Sequence, residues 1–162
     1  MPLRHKVTKN KIKWKLIKQN QMARIKINLP DKFIFATKIP IRINDINYGG
    51  HLGNDSILSI VHEARVRFLK KFGYSELNVE GCGIIMSDSA IVYKSEGYYG
   101  DVLRIEVTID DFSKFGCDFI YKISNKETNK EIARAKTGIV FFDYENKKMV
   151  EVPEKFKTVL SL

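Results

Sequence analysis

The chain has 162 residues, of which 44% are hydrophobic and 29% charged, the balance of one globular domain with a full apolar core. No apolar run approaches the roughly 20 residues of a membrane-spanning helix, and no secretory leader pattern is present, so we expect a cytoplasmic protein with no membrane contact. Cys82 and Cys117 belong to no metal-ligand motif, and we expect two reduced thiols and no bound metal.

The formal net charge of +9 is concentrated in residues 1–30, which hold nine of the 28 basic residues and none of the 19 acidic ones. Residues 31–162 are therefore neutral, and we expect them to form the folded domain. The basic arm is compatible with contact to nucleic acid or an anionic surface, with a transit-like leader, or with a dispensable extension ahead of a working start at Met22. Nucleic acid ranks last among possible partners, because the domain itself carries no excess charge.

The first predicted strand runs from Phe33 to Ile43, where isoleucines at positions 39, 41 and 43 alternate with other residues. Pro40 has no N–H to donate, so this strand should lie at the edge of its sheet. The eleven residues Asn44–Asn54 contain three glycines and three asparagines and therefore predict a loop.

A long helix is predicted from Asp55 to Lys71, with Asn54, Asp55 or Ser56 as its N-cap. Gly73 follows the last basic turn and predicts the C-terminus. Apolar residues at three- and four-residue spacing predict the buried face, which comprises Ile57, Val61, Ala64 and Phe68, with Leu58 and Ile60 beside them.

Four strand-forming segments follow: Gly83–Tyr93, Val102–Ile109, a segment with apolar side chains at 117, 119, 121 and 123, and Ile132–Phe142. Polar turns such as Asn125–Asn129 separate them, which predicts antiparallel pairing. Residues 153–160 predict a short closing helix that begins at Pro153. The order of elements predicts an α+β fold with an antiparallel sheet of about five strands around one long helix. Exposed sheet edges favour a homo-oligomer, with a two-fold dimer ahead of a tetramer.

The stretch from Arg42 to Gly73 resembles the 4-hydroxybenzoyl-CoA-thioesterase-like branch of the hotdog superfamily. Members carry a loop of the form D-x-D-x-x-G-H-V-N-N and then a helix with E-A-R, and the matching residues here are Asp45, Gly50, His51, Asn54 and Glu63-Ala64-Arg65. Tyr99-Gly100-Asp101 resembles the family's Y-G-D turn. The resemblance covers about residues 33–150 and implies a hotdog fold. It also implies hydrolysis of an acyl group from coenzyme A or acyl carrier protein at a dimer interface, with no cofactor besides the coenzyme A of the substrate.

Three positions depart from the family's motif. Asn47 stands where the benzoyl-CoA enzymes have their catalytic acid. Gly49 stands where the plant acyl-carrier-protein thioesterases have an asparagine, and Gly53 replaces the first Asn of the V-N-N ending. Neither catalytic set is complete, so a non-catalytic module that binds acyl-pantetheine or a protein is the alternative to a thioesterase.

Thioester hydrolysis needs a base or nucleophile and a group that stabilises the oxyanion. The free N–H groups at the start of the helix, on Gly53, Asn54 or Asp55, are the candidate oxyanion site. Gly49 and Gly50 would let the acyl-pantetheine chain approach the backbone closely.

Three side chains are candidate bases, and each has a structural alternative. Asp45 could instead fix the loop by hydrogen bonds to the backbone. His51 could shuttle protons or be a structural histidine. Glu63 could face a second subunit's loop, where burial would suit it to base work, or pair with Arg67 in the next helical turn.

Two further loop side chains have predicted roles. Asn47 cannot be a base and is expected to orient a water or the thioester. Tyr48 would shape the acyl pocket or simply pack, and His62 is interpreted as structural or exposed. The sequence contains no G-x-S-x-G elbow, zincin motif, P-loop or dinucleotide fingerprint. With the function that the hotdog resemblance implies, these absences make a metal-free acyl-CoA thioesterase the leading hypothesis.

Overall fold

The computed structural model describes residues 24–160. The strands of this part are β1 (Phe35–Pro40), β2 (Gly83–Tyr93), β3 (Val102–Asp110), β4 (Gly116–Asn125), β5 (Glu131–Asp143) and β6 (Lys148–Met149). The helices are α1 (Asn54–Lys71) and α2 (Glu154–Leu160), and a 3₁₀ turn spans Ile43–Asp45. The predicted α+β class is confirmed, and so are the long helix and the segments that follow it; the two-residue strand β6 was not predicted.

The strands form one antiparallel sheet in the order β1-β3-β4-β5-β2, with β6 added to β5. Pro40 pairs with Val102 at the end of β1, and β1 lies at one edge, as its proline predicts. The strand ends three residues earlier than predicted, because the chain turns at Ile43 into the 3₁₀ turn. Strand β2 forms the other edge of the sheet among the described residues.

Helix α1 packs on the sheet through its predicted face. Ile57, Ile60, Val61, Ala64 and Phe68 are each at most 2% exposed. The ring of Phe68 meets Phe119 of β4 edge-on, with 5.3 Å between the centroids. The prediction for Leu58 is wrong: about 100° of rotation per residue turns it away from the sheet, and it is 45% exposed.

The ends of α1 are set by two glycines. The N-cap is Gly53, which has no side chain to cap the helix, so the predicted polar caps lie inside the first turn instead. At the other end Gly73 adopts φ +80°, and its N–H donates to the Lys70 carbonyl at 3.1 Å. The predicted C-terminus is confirmed, and a left-handed residue there is the usual role of glycine.

The segment before β1 contacts the sheet at Ile27. This side chain is 7% exposed, and its carbonyl accepts a hydrogen bond from Arg134 Nη1 at 3.0 Å. The domain boundary at residue 31 remains a prediction. A domain that began there would exclude Ile27, although this side chain is buried. The predictions made for residues 1–21 and for a start at Met22 lie outside the described residues.

The two thiols differ in burial. Cys117 is buried, and burial raises the pKa of its thiol to about 12. Cys82 is half-buried and donates from Sγ to the Val79 carbonyl at 3.1 Å; both cysteines are free. Within residues 24–160, no helix is long and apolar enough to cross a membrane, and no three His, Cys, Asp or Glu side chains are grouped to hold a metal ion.

Candidate functional site

Asp45 holds the loop that leads into α1. Its Oδ2 accepts the backbone N–H of Arg42 at 2.8 Å, and its Oδ1 lies 3.1 Å from Arg42 Nη2. Its carbonyl accepts the N–H of Gly53 at 2.8 Å, which ties the 3₁₀ turn to the start of the helix. Burial raises the pKa of Asp45, but the hydrogen bonds from Arg42 outweigh it and lower the pKa below its ordinary value. The Asp45 carboxylate therefore stays ionised and fixes the conformation of the loop.

Asn47 closes the tip of the loop. Its Oδ1 accepts the backbone N–H of Gly49 at 2.9 Å and that of His51 at 3.4 Å, and its own N–H donates to the His51 carbonyl at 2.9 Å. Gly50 has φ +84°, a conformation that favours glycine. Tyr48 projects from the tip with its side chain fully exposed, so in one chain it neither packs nor lines a cavity.

The amides at the start of α1 are the predicted oxyanion site. The N–H of Gly53 already donates to Asp45, so of the three candidates only those of Asn54 and Asp55 remain. The first N–H groups of a helix have no partner within it, and the N-cap Gly53 makes no side-chain cap hydrogen bond. Both remaining amides also lie at the positive end of the helix dipole.

Two cavities flank this helix terminus. The loop cavity, of about 320 Å³, is lined by Asn54 together with Asn47, His51, Leu52, Tyr93, Lys94, Ser95 and Glu96. The flank cavity, of about 530 Å³, is lined by Asp55 together with Leu58, Ser59, His62, Arg65, Glu76, Ile84, Met86, Ser89 and Thr137. The first two residues of the helix therefore each line a different cavity.

The loop cavity brings His51 close to an acid that the sequence analysis missed. His51 Nε2 lies 3.7 Å from Glu96 Oε1, and Tyr98 donates its hydroxyl to Glu96 Oε2 at 2.6 Å. The Tyr98 hydrogen bond, followed by the charge of His51, lowers the pKa of Glu96. The N–H of Leu52 donates to the Gly97 carbonyl at 2.8 Å and joins the two segments. In the sequence, the only feature that pointed to this segment was the neighbouring Tyr99-Gly100-Asp101 turn, which resembles the family's Y-G-D turn.

Glu63 is not brought together with these residues. Its Oε1 accepts from Arg67 Nε at 2.7 Å, and Arg67 also bonds to Thr37 and to the Lys38 carbonyl of β1. Glu63 lines neither the loop cavity nor the flank cavity. The predicted pairing of Glu63 with Arg67 is thus present, and the alternative role at a second subunit remains a prediction.

The flank cavity contains a polar cluster that sequence reasoning also missed. Arg65, buried although charged, donates from Nε to Glu76 Oε1 at 2.7 Å. His62 is exposed, as one interpretation held, and its Nε2 lies 3.0 Å from Glu76 Oε2. A charged residue on a helix is ordinarily exposed, so the E-A-R motif was the only signal for Arg65.

Residues 41–160 match the family model of the thioesterase-like superfamily. A presumed esterase of Aquifex aeolicus (strain VF5) is 25% identical over 130 residues, which cover 79% of this chain and 97% of the relative.

Two solved structures show the same fold. One is a 1,4-dihydroxy-2-naphthoyl-CoA thioesterase from Synechocystis, with a TM-score of 0.71 and 22% identity over 78% of this chain and 95% of the other. The second is a DHNA-CoA thioesterase from Staphylococcus aureus, with a TM-score of 0.69 and 18% identity over 78% of this chain and 87% of the other. The predicted hotdog fold is confirmed.

Proposed function

The chain belongs to the thioesterase-like superfamily, and on that basis we propose that it hydrolyses acyl-CoA thioesters at the N-terminus of α1. The observation that carries the proposal is an uncapped helix terminus, formed by Asn54 and Asp55, that opens on two cavities. Free amides at such a terminus stabilise the negative charge that develops on a carbonyl oxygen under attack. Besides its oxygen, the carbonyl carbon of a thioester carries the acyl chain on one side and the sulfur of pantetheine on the other. We assign the pantetheine arm to the loop cavity and the acyl chain to the flank cavity.

His51 is the proposed base. It lines the loop cavity with Asn54, whereas the carboxylate of Asp45 is occupied by Arg42 and Glu63 lines neither cavity. In the first step water attacks the carbonyl carbon and its proton passes to His51, while the carbonyl oxygen becomes an oxyanion at the helix amides. Glu96 stabilises the imidazolium that forms. Collapse of the intermediate then breaks the carbon–sulfur bond, and the leaving thiolate takes the proton, giving a carboxylic acid and free coenzyme A.

Two observations support coenzyme A as the carrier and a two-fold dimer as the working form. The Synechocystis and Staphylococcus aureus proteins are named as thioesterases of a CoA ester. Strand β2 presents an unpaired edge among the described residues, and the exposed side chains of Leu58 and Met86 lie beside it on the flank cavity. A second copy would cover both features.

The test is thiol release from a panel of short, long and aromatic acyl-CoA esters. We expect turnover of at least one ester, and His51→Ala should lower kcat/KM by about 10²–10⁴-fold. Glu96→Gln should lower kcat/KM less, since it removes only the stabilising charge. Glu127→Gln, at an exposed turn that lines neither cavity, is the matched control and should leave the rate unchanged. No release from any ester, or full activity in His51→Ala, contradicts the proposal.

A non-catalytic acyl-pantetheine module is the second candidate, and one observation favours it. Asn47 occupies the position of the family's acid, and its side-chain oxygen is taken up by the backbone of its own turn. Calorimetric binding of acyl-CoA esters that remain intact after prolonged incubation would establish this candidate in place of the enzyme.

A further inference from the structure

The flank cavity is an elongated cleft with a defined direction. Its helical wall is formed by Asp55, Ser59 and His62, which recur at helical spacing along one side of α1. His62 lies seven positions after Asp55, an axial distance of roughly 10 Å. The cleft therefore begins at Asp55 in the first helical turn and extends about two turns along the helix.

The opposite wall runs antiparallel to the helix. Ile84, at the start of β2, donates its N–H to the Glu76 carbonyl at 2.8 Å and so lies at the far end of the cleft. Tyr93, at the end of β2, donates its hydroxyl to the Asn54 carbonyl at 3.2 Å and so lies at the helix N-terminus. Met86 and Ser89 fall between them. Strand β2 thus runs from the far end of the cleft back to the helix N-terminus.

The far end is built around an ion pair in which the arginine is buried and the glutamate is partly exposed. The Arg65 side chain is 6% exposed, and that of Glu76 is 28% exposed. The charge of Arg65 acts on the buried Tyr121 hydroxyl, which forms a hydrogen bond with Thr137 Oγ1 at 3.0 Å. Burial raises the pKa of Glu76, but the hydrogen bonds from Arg65 and His62 outweigh it, so the carboxylate is ionised at neutral pH.

Stability alone does not account for this cluster. Burying an ion pair costs desolvation, and apolar residues of similar volume usually stabilise a core as well or better. The core that packs against α1 is mainly hydrophobic, whereas this cluster lines the cleft. A polar cluster placed against a cavity suits a ligand that carries a polar group.

We propose that the Arg65–Glu76–His62 cluster selects acyl groups that carry an oxygen function, a hydroxyl above all, at the end remote from the thioester. This inference rests on the proposed function, because it takes the carbonyl to lie at the amides of Asn54 and Asp55. A hydroxyl both donates and accepts, so it can donate to Glu76 and accept from Arg65 or His62. A plain alkyl end displaces water from the same groups without replacing its hydrogen bonds.

The experiment compares octanoyl-CoA with 8-hydroxyoctanoyl-CoA, whose hydroxyl reaches the cluster from a carbonyl at the helix terminus. Wild-type protein should prefer the hydroxylated ester in kcat/KM by about tenfold or more. His62→Leu and Glu76→Gln should each reduce the ratio of the two kcat/KM values to about twofold, whatever either substitution does to the absolute rates. A merely structural role would instead lower both rates together.

The matched control is Glu131→Gln. Glu131 also pairs with an arginine, Arg134 at 2.8 Å, and its side chain is 23% exposed, but it lies outside the cleft. This variant should keep the wild-type preference. Equal rates for the two esters in the wild type, or an unchanged preference in both cleft variants, would overturn the inference.

Binding separates a failure of the inference from a failure of the proposed function. The probes are the two non-hydrolysable thioethers of coenzyme A with octyl and 8-hydroxyoctyl chains, measured by calorimetry on the full chain. Selective binding of the hydroxylated thioether without turnover of any ester supports the cleft assignment and contradicts the enzyme. Turnover with equal binding of the two thioethers supports the enzyme and contradicts the cleft assignment.

Discussion

The Oδ1 atom of Asn47 accepts a hydrogen bond from the backbone N–H of Gly49 at 2.9 Å, so this amide side chain serves as a cap within its own loop. An aspartate has the same shape and offers an acceptor oxygen at the same place. The substitution Asn47→Asp therefore preserves the turn while it adds a carboxylate to the loop cavity, which Asn47 also lines.

We expect Asn47→Asp to raise kcat/KM for acyl-CoA esters by about tenfold, because it adds an acid where the resembling enzymes have theirs. Thermal unfolding should shift by no more than a few degrees. Asn47→Ala is the control: it removes the cap, and both stability and activity should fall. If Asn47→Asp lost as much activity as Asn47→Ala, a carboxylate at position 47 would not act as a second base in the loop cavity.

Gly53→Ser tests the role of the open helix terminus. A serine at the N-cap can accept hydrogen bonds from amides in the first turn, which should keep stability unchanged or raise it by a few tenths of a kcal/mol. If those amides hold the oxyanion, kcat should fall by about 10²–10³-fold. Urea unfolding and steady-state kinetics on the same preparation provide the two measurements.

Gly53→Ala is the steric control for that substitution. An added Cβ would lie 2.5 Å from Asp55 Oδ1 and 3.3 Å from Ser56 Oγ, both flexible side-chain ends that can move. We expect a smaller loss of activity than in Gly53→Ser, since alanine brings no acceptor. Equal losses would mean that bulk, rather than capping, decides the effect.

Asp45→Asn tests the loop-fixing carboxylate through its pH dependence. The substitution should lower the free energy of unfolding at pH 7, because the side chain that accepts hydrogen bonds from Arg42 loses its negative charge. Folding lowers the pKa of Asp45, so its contribution is present above the ordinary pKa of about 4 and is lost as the pH falls through the lower folded-state value.

The measurement is urea unfolding of wild type and Asp45→Asn between pH 3 and pH 7. The difference between the two proteins should shrink towards zero at the acidic end. A difference that stays constant across this range would show that the pair with Arg42 contributes no charge-dependent stability.

Truncation tests where the domain begins. Deletion of residues 1–30 removes Ile27, whose buried side chain and bond to Arg134 should be worth about 2 kcal/mol in the free energy of unfolding. Deletion of residues 1–21 keeps that contact, and we expect neither stability nor activity to change. A shorter deletion as damaging as the longer one would show that the basic arm is not dispensable.

The fold could be predicted from the sequence wherever the spacing of apolar residues indicates which side chains are buried. The repeat Ile57, Val61, Ala64 and Phe68 marks the buried face of α1, and Pro40 marks an edge strand because a missing N–H is a local property. The N-cap was missed for the opposite reason. Three polar residues that commonly cap helices follow Gly53, and the hydrogen bond from the Ile57 N–H to the Gly53 carbonyl, at 3.3 Å, shows that the helix begins before them.

The candidate site was only partly predictable. His51 and Asn54 follow from the loop motif, since that motif is contiguous in the chain. Glu96 and Glu76 belong to segments far from it, and no pattern within one sequence links an acid to a histidine or arginine that only tertiary packing brings near. Arg65 was missed because burial of a charge depends on such a distant partner.

The strands of the sheet differ in how many neighbours they pair with, and therefore in how easily they can unfold locally. Strand β4 is paired on both sides, by β3 and β5, which neighbour it in the chain. Strands β1 and β2 each pair with a single neighbouring strand. Strand β1 leads into the loop at the helix terminus, and strand β2 forms a wall of the flank cavity. Local unfolding starts where pairing is weakest, so a ligand could be admitted by opening an edge while the central meander keeps its amides protected from exchange.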